Sequence, residues 1–213
     1  EPPPDRIEVS PKGEAFNFEE ALTQKLNVMP AKIDPDSLST SLLKRLKQDQ
    51  LDGYVGFIDL NCPFCFALHE RFTKWELLDK IDWCMVEHAT HVVDGSFGLK
   101  DENSLSNEVF AVHHRAPDVL LHLPERRFCA RLANSLLVIV QREYPEKLAT
   151  LRTLLYRGLW QEGLDIGNRD VLTTLLKKAE LPETLVNREE DLPEIKAWQS
   201  DWENADFDCC IPV

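Results

Sequence analysis

Tyr54-Val-Gly-Phe-Ile-Asp-Leu-Asn-Cys62-Pro63-Phe64-Cys65-Phe-Ala-Leu-His-Glu-Arg-Phe72 delivers a Cys-x-x-Cys pair from an apolar strand straight into a helix. A cysteine in the first turn of a helix meets unsatisfied backbone N–H groups and the positive end of the helix dipole. Its thiolate is stabilised and its pKa falls. Cys62 is therefore the expected nucleophile. Cys65, one turn further in and expected to be more buried, is the resolving thiol that frees a substrate from a mixed disulfide. Pro63 suits the first helical turn, where its missing N–H has no partner in any case. A structural zinc site needs a second Cys-x-x-Cys or closely spaced histidine ligands, and the chain has no second such pair. Two merely buried thiols would leave the Pro-Phe insert and the strand-to-helix setting unexplained. A redox-type dithiol is the preferred reading.

Composition bounds the alternatives. A chain of 213 residues with 43% apolar and 8% aromatic content is ordinary globular material, and one domain with an insertion is expected. A net charge of −13 argues against nucleic acid and anionic membranes, which select basic patches. No apolar stretch approaches the roughly 20 residues that span a bilayer. Glu1-Pro-Pro-Pro4 lacks signal-peptide character, so a cytoplasmic location is expected. The six cysteines (Cys62, Cys65, Cys84, Cys129, Cys209 and Cys210) are irregularly spaced and do not read as a secreted disulfide scaffold. Cys84 and Cys129, the latter in a helical stretch, read as small buried hydrophobes.

Along the chain, Arg6–Val9 and Glu14–Phe16 flank the turn Ser10-Pro-Lys-Gly13, and helices follow over Asn17–Leu26 and Pro35–Leu46. After strand Tyr54–Leu60 and the helix from Cys62, Lys80–His91 reads as a strand with Ile81, Trp83 and Met85 alternating against Asp82 and Cys84. Strand, helix, strand implies a parallel crossover unit. From Asp101 the period turns helical, most clearly over Phe128–Glu143, Leu148–Trp160, Asn168–Ala179 and Leu192–Ala205.

With these motifs in this order, the chain resembles the DsbA-like branch of the thioredoxin superfamily, in particular its FrnE-type members. Those proteins carry an Asp three residues before the first cysteine, as Asp59 stands before Cys62. They insert a helical domain after the second strand and hold a stretch similar to Leu154-Leu-Tyr-Arg-Gly-Leu-Trp160-Gln-Glu-Gly-Leu-Asp-Ile166. They also place a cis-proline opposite the dithiol, a position that Cys209-Cys210-Ile211-Pro212 matches. The resemblance implies an α/β thioredoxin-like fold with an inserted all-helical domain. Its expected layout is an N-terminal extension over 1–52, a first half with the dithiol over 53–100, helices over 101–205, and a return to the fold over 206–213. It further implies that Pro63, Phe64, Ile211 and Pro212 face the substrate. No cofactor and no metal are expected.

The chain departs from the family twice. An acid six residues before the first cysteine assists proton transfer in relatives, and here that position is Gly56. Asp59 is an auxiliary candidate for proton transfer, although capping or strand-end hydrogen bonding is its preferred role. The family also continues past its cis-proline with two strands and a helix, whereas this chain stops at Val213. That leaves a truncated C-terminus with an N-terminal extension as the default, and a permuted domain as the alternative. Cys210 is a second auxiliary candidate, close enough in such a fold to exchange with Cys62, with a structural thiol as the simpler reading. His113-His114, with His88, His91 and His122, lack ligand spacing and read as solvated histidines in loops or at strand ends. The acidic run Glu183–Glu203 reads as a solvated helix face.

The expected function is a thiol–disulfide oxidoreductase acting on protein or small-molecule thiols, glutathione among them. One alternative is a redox-sensing or interaction module of a larger signalling protein, without turnover. Another is a glutathione-dependent isomerase or transferase, against which the intact cysteine pair argues.

Overall fold

Tyr54-Val-Gly-Phe-Ile58 is a run of β-formers broken only by glycine, and it makes β1 (Tyr54–Ile58). The computed structural model describes residues 54–74, 76, 78–89, 99–188, 192–205 and 211–212. The elements expected before residue 50, with His91, Cys209 and Cys210, lie outside the described residues. β1 leads into α1 (Pro63–Lys74), a short 3₁₀ turn over Leu78–Lys80, and β2 (Ile81–Met85). The strands pair in parallel, from Tyr54 opposite Ile81 to Ile58 opposite Met85. The described chain is thus a helix-rich α/β structure with a small parallel sheet.

Both strands are shorter than the pattern suggested. β1 stops at Ile58 because Asp59 opens a turn, with the Cys62 N–H bonded to Asp59 O at 3.1 Å. β2 stops at Met85, although the Val86 N–H still reaches Ile58 O at 2.9 Å. The expected alternation also fails, since Trp83, Cys84 and Met85 are all buried. A parallel strand covered on both faces has no polar side to alternate with. One of its neighbours is α6 (Pro193–Asn204).

Among the described residues, five α-helices follow the sheet. α2 (Leu99–Arg115) is polar enough to mask its helical period, yet Leu105, Val109 and Val112 form a buried stripe at i, i+4 and i+7. His113 and His114 stand in its last turn rather than in a loop. α3 runs over Arg131–Glu143, later than the expected start at Phe128. Cys129 consequently lies outside any helix and is half-buried instead of buried. α4 (Leu148–Trp160) buries Leu151, Leu155, Tyr156, Leu159 and Trp160 and packs on α1, α3 and α5 (Arg169–Lys178). Asn168 caps α5 by accepting the Asp170 N–H at 2.8 Å and the Val171 N–H at 3.4 Å. Within the acidic run, Glu183–Asn187 is a 3₁₀ turn and only the part from Pro193 is α-helical.

Gly56 is closely packed in the sheet. A Cβ there would lie 3.2 Å from Ile81 Cγ2 and 3.3 Å from Trp83 Cε3. The Trp83 ring is fixed in turn by its Nε1–H to Leu78 O at 2.8 Å, and the Arg152 guanidinium lies 4.9 Å from its centroid. A side chain at position 56 would therefore have to push Ile81 or Trp83 aside by a few tenths of an ångström. Gly56→Ala is expected to cost about 1–3 kcal/mol through overpacking, read as a fall in the urea midpoint at unchanged slope.

Candidate active site

Three backbone carbonyls of the turn between β1 and α1, those of Asp59, Leu60 and Asn61, each accept from a side chain distant in sequence. Asp59 O accepts from the Tyr156 hydroxyl at 3.3 Å, Leu60 O from Trp160 Nε1–H at 2.9 Å, and Asn61 O from Arg127 Nη1–H at 2.6 Å. Arg127 is itself buried and paired through Nη2 with Glu108 at 2.7 Å. Asn61 returns the tie by donating Nδ2–H to Phe128 O at 2.7 Å. One amide of the first turn of α1 faces the Cys62 sulfur. The Cys65 N–H reaches Cys62 Sγ at 3.4 Å.

Both thiols are buried, at 2% exposure for Cys62 and 1% for Cys65, so the two differ little in depth. Burial alone would raise the Cys62 thiol, but the Cys65 thiol hydrogen bond, the His88 charge and the Cys65 N–H outweigh it. Cys62 stays below the ordinary range despite opposition from Glu108. Cys65 is driven well above that range by burial and by its bond to Cys62. The two sulfurs thus differ in proton affinity in the sense a nucleophile and a resolving thiol require.

His88 was read from sequence as solvated, and the structure overturns that. Its Nδ1 lies 2.6 Å from Asp59 Oδ2, its backbone N–H bonds the same oxygen at 3.0 Å, and its side chain is 19% exposed. Asp59 Oδ1 accepts the Asn61 N–H at 2.9 Å, so the carboxylate is held at the end of β1 by three donors. Burial opposes charge on both partners, but their mutual attraction prevails. Asp59 is held below and His88 above its ordinary value. No local signal marks His88, because its partner comes from the turn after the neighbouring strand. Among the described residues no group of three His, Cys, Asp or Glu is arranged to hold a metal ion.

The remaining sequence candidates divide. Pro63 is buried at the first position of α1 and Phe64 is half-buried beside it. Ile211 O lies 3.9 Å from Cys62 Sγ, and the Ile211–Pro212 peptide bond is cis. Cys210 falls outside the described residues, and His113, His114 and His122 are exposed.

The Asp59–His88 pair makes a pH prediction. Stability contributed by His88 is complete below the ordinary imidazole value of 6.5 and lost as pH rises through its higher folded value. The contribution of Asp59 is complete above 3.8 and lost as pH falls through its lowered folded value. The stability difference between the wild type and His88→Asn should therefore be greatest between roughly pH 4 and 6.5 and shrink on the alkaline side. His88→Asn should also move the Cys62 titration, followed by thiolate ultraviolet absorbance, to higher pH. An unmoved titration would remove His88 from the site.

No protein-family model matches the chain, and no curated protein matches it. Among solved structures it is similar to one described as a "putative protein disulfide isomerase" from Nitrosomonas europaea. The identity is 16% and the TM-score 0.48, over 72% of this chain and 73% of that one.

Proposed function

We propose that the chain is a thiol–disulfide oxidoreductase in which Cys62 attacks and Cys65 resolves, built on a thioredoxin-like α/β unit that carries α2–α6 as an insertion. One observation carries the reading. At the head of α1, Cys62 Sγ receives the Cys65 N–H at 3.4 Å, and the two thiols are pushed to opposite sides of the ordinary range. The parallel β1–α1–β2 unit and the Ile211 carbonyl beside Cys62 Sγ support it.

In the reducing direction, the Cys62 thiolate attacks one sulfur of a partner disulfide. A Cys62–partner bond forms, the partner S–S bond breaks, and the leaving thiolate takes a proton from water. Cys65 then loses its proton to solvent and attacks Cys62 Sγ, forming the Cys62–Cys65 disulfide and expelling the second partner thiolate. The partner gains two electrons and two protons, and the dithiol loses both. The reverse sequence oxidises a partner dithiol. The cation at His88 lowers the cost of the first thiolate, a task that Gly56 cannot share.

A redox-sensing module that does not turn over is the second reading. The 2% exposure of Cys62 favours it, since a bulky disulfide has little access to that sulfur without movement of its surroundings.

Cys65→Ser should accumulate a mixed disulfide at Cys62 with glutathione or a protein thiol, identified by mass spectrometry. In the wild type, equilibration across glutathione buffers should give one reversible two-electron transition by alkylation of Cys62 and Cys65. Turnover of a disulfide substrate in addition separates the enzyme from the sensor. Absence of a Cys62–Cys65 disulfide at every poise would rule out both.

A further inference from the structure

Two ion pairs are built into the surroundings of Cys62, and they act on it with opposite sign. In the first, Asp59 Oδ2 holds His88 Nδ1 at 2.6 Å, and the cation of that pair favours the thiolate. In the second, Arg127 Nη2 holds Glu108 Oε1 at 2.7 Å, and the anion of that pair opposes the thiolate. Both pairs are tied to the turn that precedes Cys62. Asp59 opens that turn, and Arg127 Nη1 donates to Asn61 O at 2.6 Å.

The second pair has a structural reason to exist. Arg127 is 4% exposed, and a cation so buried is costly without an opposite charge. The neutralising carboxylate is delivered by α2, which packs on α1. It lies one guanidinium width beyond the carbonyl of the residue before Cys62. Ser104 Oγ donates to the same Oε1 at 3.1 Å, so Glu108 is held by two donors although its side chain is 24% exposed. With His88 charged, Asp59, His88, Glu108 and Arg127 balance one another, and the Cys62 thiolate is the unbalanced fifth charge. Cys65 and Tyr156, the other titratable groups acting on Cys62 or beside it, stay neutral because burial pushes both well up.

We propose that the Glu108–Arg127 pair sets the direction of exchange: the carboxylate that α2 brings to the head of α1 disfavours the charged, reduced form of the dithiol and makes it a better reductant. The reduced form carries the thiolate and the Cys62–Cys65 disulfide carries no charge, so a nearby anion penalises the reduced form alone. Reduction of a partner relieves that penalty. Two electrons pass to the partner disulfide as the Cys62–Cys65 bond forms, the Cys65 proton goes to solvent, and the negative charge leaves on the partner thiolates, which take protons from water. Glu108 acts through Cys62 and is a positioning residue. The inference rests on the oxidoreductase reading and gives it a direction.

The test is Glu108→Gln in the full chain, which keeps an acceptor oxygen for Arg127 and Ser104 and loses only the charge. The Cys62 titration, followed by thiolate ultraviolet absorbance, should move to lower pH, opposite in sense to His88→Asn. At a pH above both titrations, the ratio of glutathione squared to glutathione disulfide that leaves half the dithiol oxidised should fall about three- to tenfold, and the titration should move by the matching amount, one pKa unit for each factor of ten. A purely structural role would lower Tm and leave both readouts in place. If Glu108→Gln fails to fold, Glu108→Ala should shift both readouts in the same sense. An unmoved titration and midpoint, or a move of either in the other sense, overturns the proposal. A wild type that forms no Cys62–Cys65 disulfide at any poise overturns the oxidoreductase reading and the direction with it, whereas a wild type with a reversible transition that the variant leaves unmoved overturns the role of Glu108 alone.

Discussion

The three consecutive carbonyls of Asp59, Leu60 and Asn61 must find donors away from water, and on that constraint the rest of the site depends. A turn that feeds a helix N-terminus can present either its carbonyls or its amides to a neighbouring sulfur. Tyr156, Trp160 and Arg127 settle the choice by taking one carbonyl each. Two of these donors belong to α4 and the third to the segment before α3, so the helices fix the polarity of the strand–helix junction. Without them the same Cys-x-x-Cys would sit in a turn free to rotate its peptide planes, and the preference for a thiolate at Cys62 would be diluted.

The electrostatics of the site follow from the same burial. Two thiols enclosed in apolar surroundings would ordinarily both stay protonated. Here the penalty falls unequally, because Cys62 has a cation, an amide and a thiol donating to it, whereas Cys65 has a negative neighbour. The cation is His88, held above its ordinary value against burial chiefly by Asp59, with Cys62 acting in the same sense. Asp59 is thus tied to the dithiol twice, through its carbonyl in the turn and through its carboxylate to His88.

What was legible in the sequence was local. The apolar run ending at Ile58, the proline after Cys62 and the helical periods over Leu148–Trp160 and Asn168–Ala179 are signals contained within a few residues, and each corresponds to an element of the fold. What escaped was tertiary. His88 looks like a polar residue beyond a strand until its partner at Asp59 is beside it. Arg127 looks like surface charge until it is found at 4% exposure holding Asn61 O. The alternation read into β2 failed because it assumed one solvated face. α2 lies in the stretch read as helical from Asp101, but its bounds do not stand out because its polar residues outnumber Leu105, Val109 and Val112, which keep helical spacing.

The clamp on the turn has a consequence for the order in which the protein acquires reactivity. The residues that orient the carbonyls of Asp59–Asn61 lie 66, 97 and 100 positions further along the chain. At roughly 5–20 residues per second of synthesis, both cysteines emerge several seconds before α4 exists to dock against them. During that interval they are ordinary, accessible thiols. The lowered Cys62 thiol is a property of the completed helical layer, acquired together with the burial of both sulfurs.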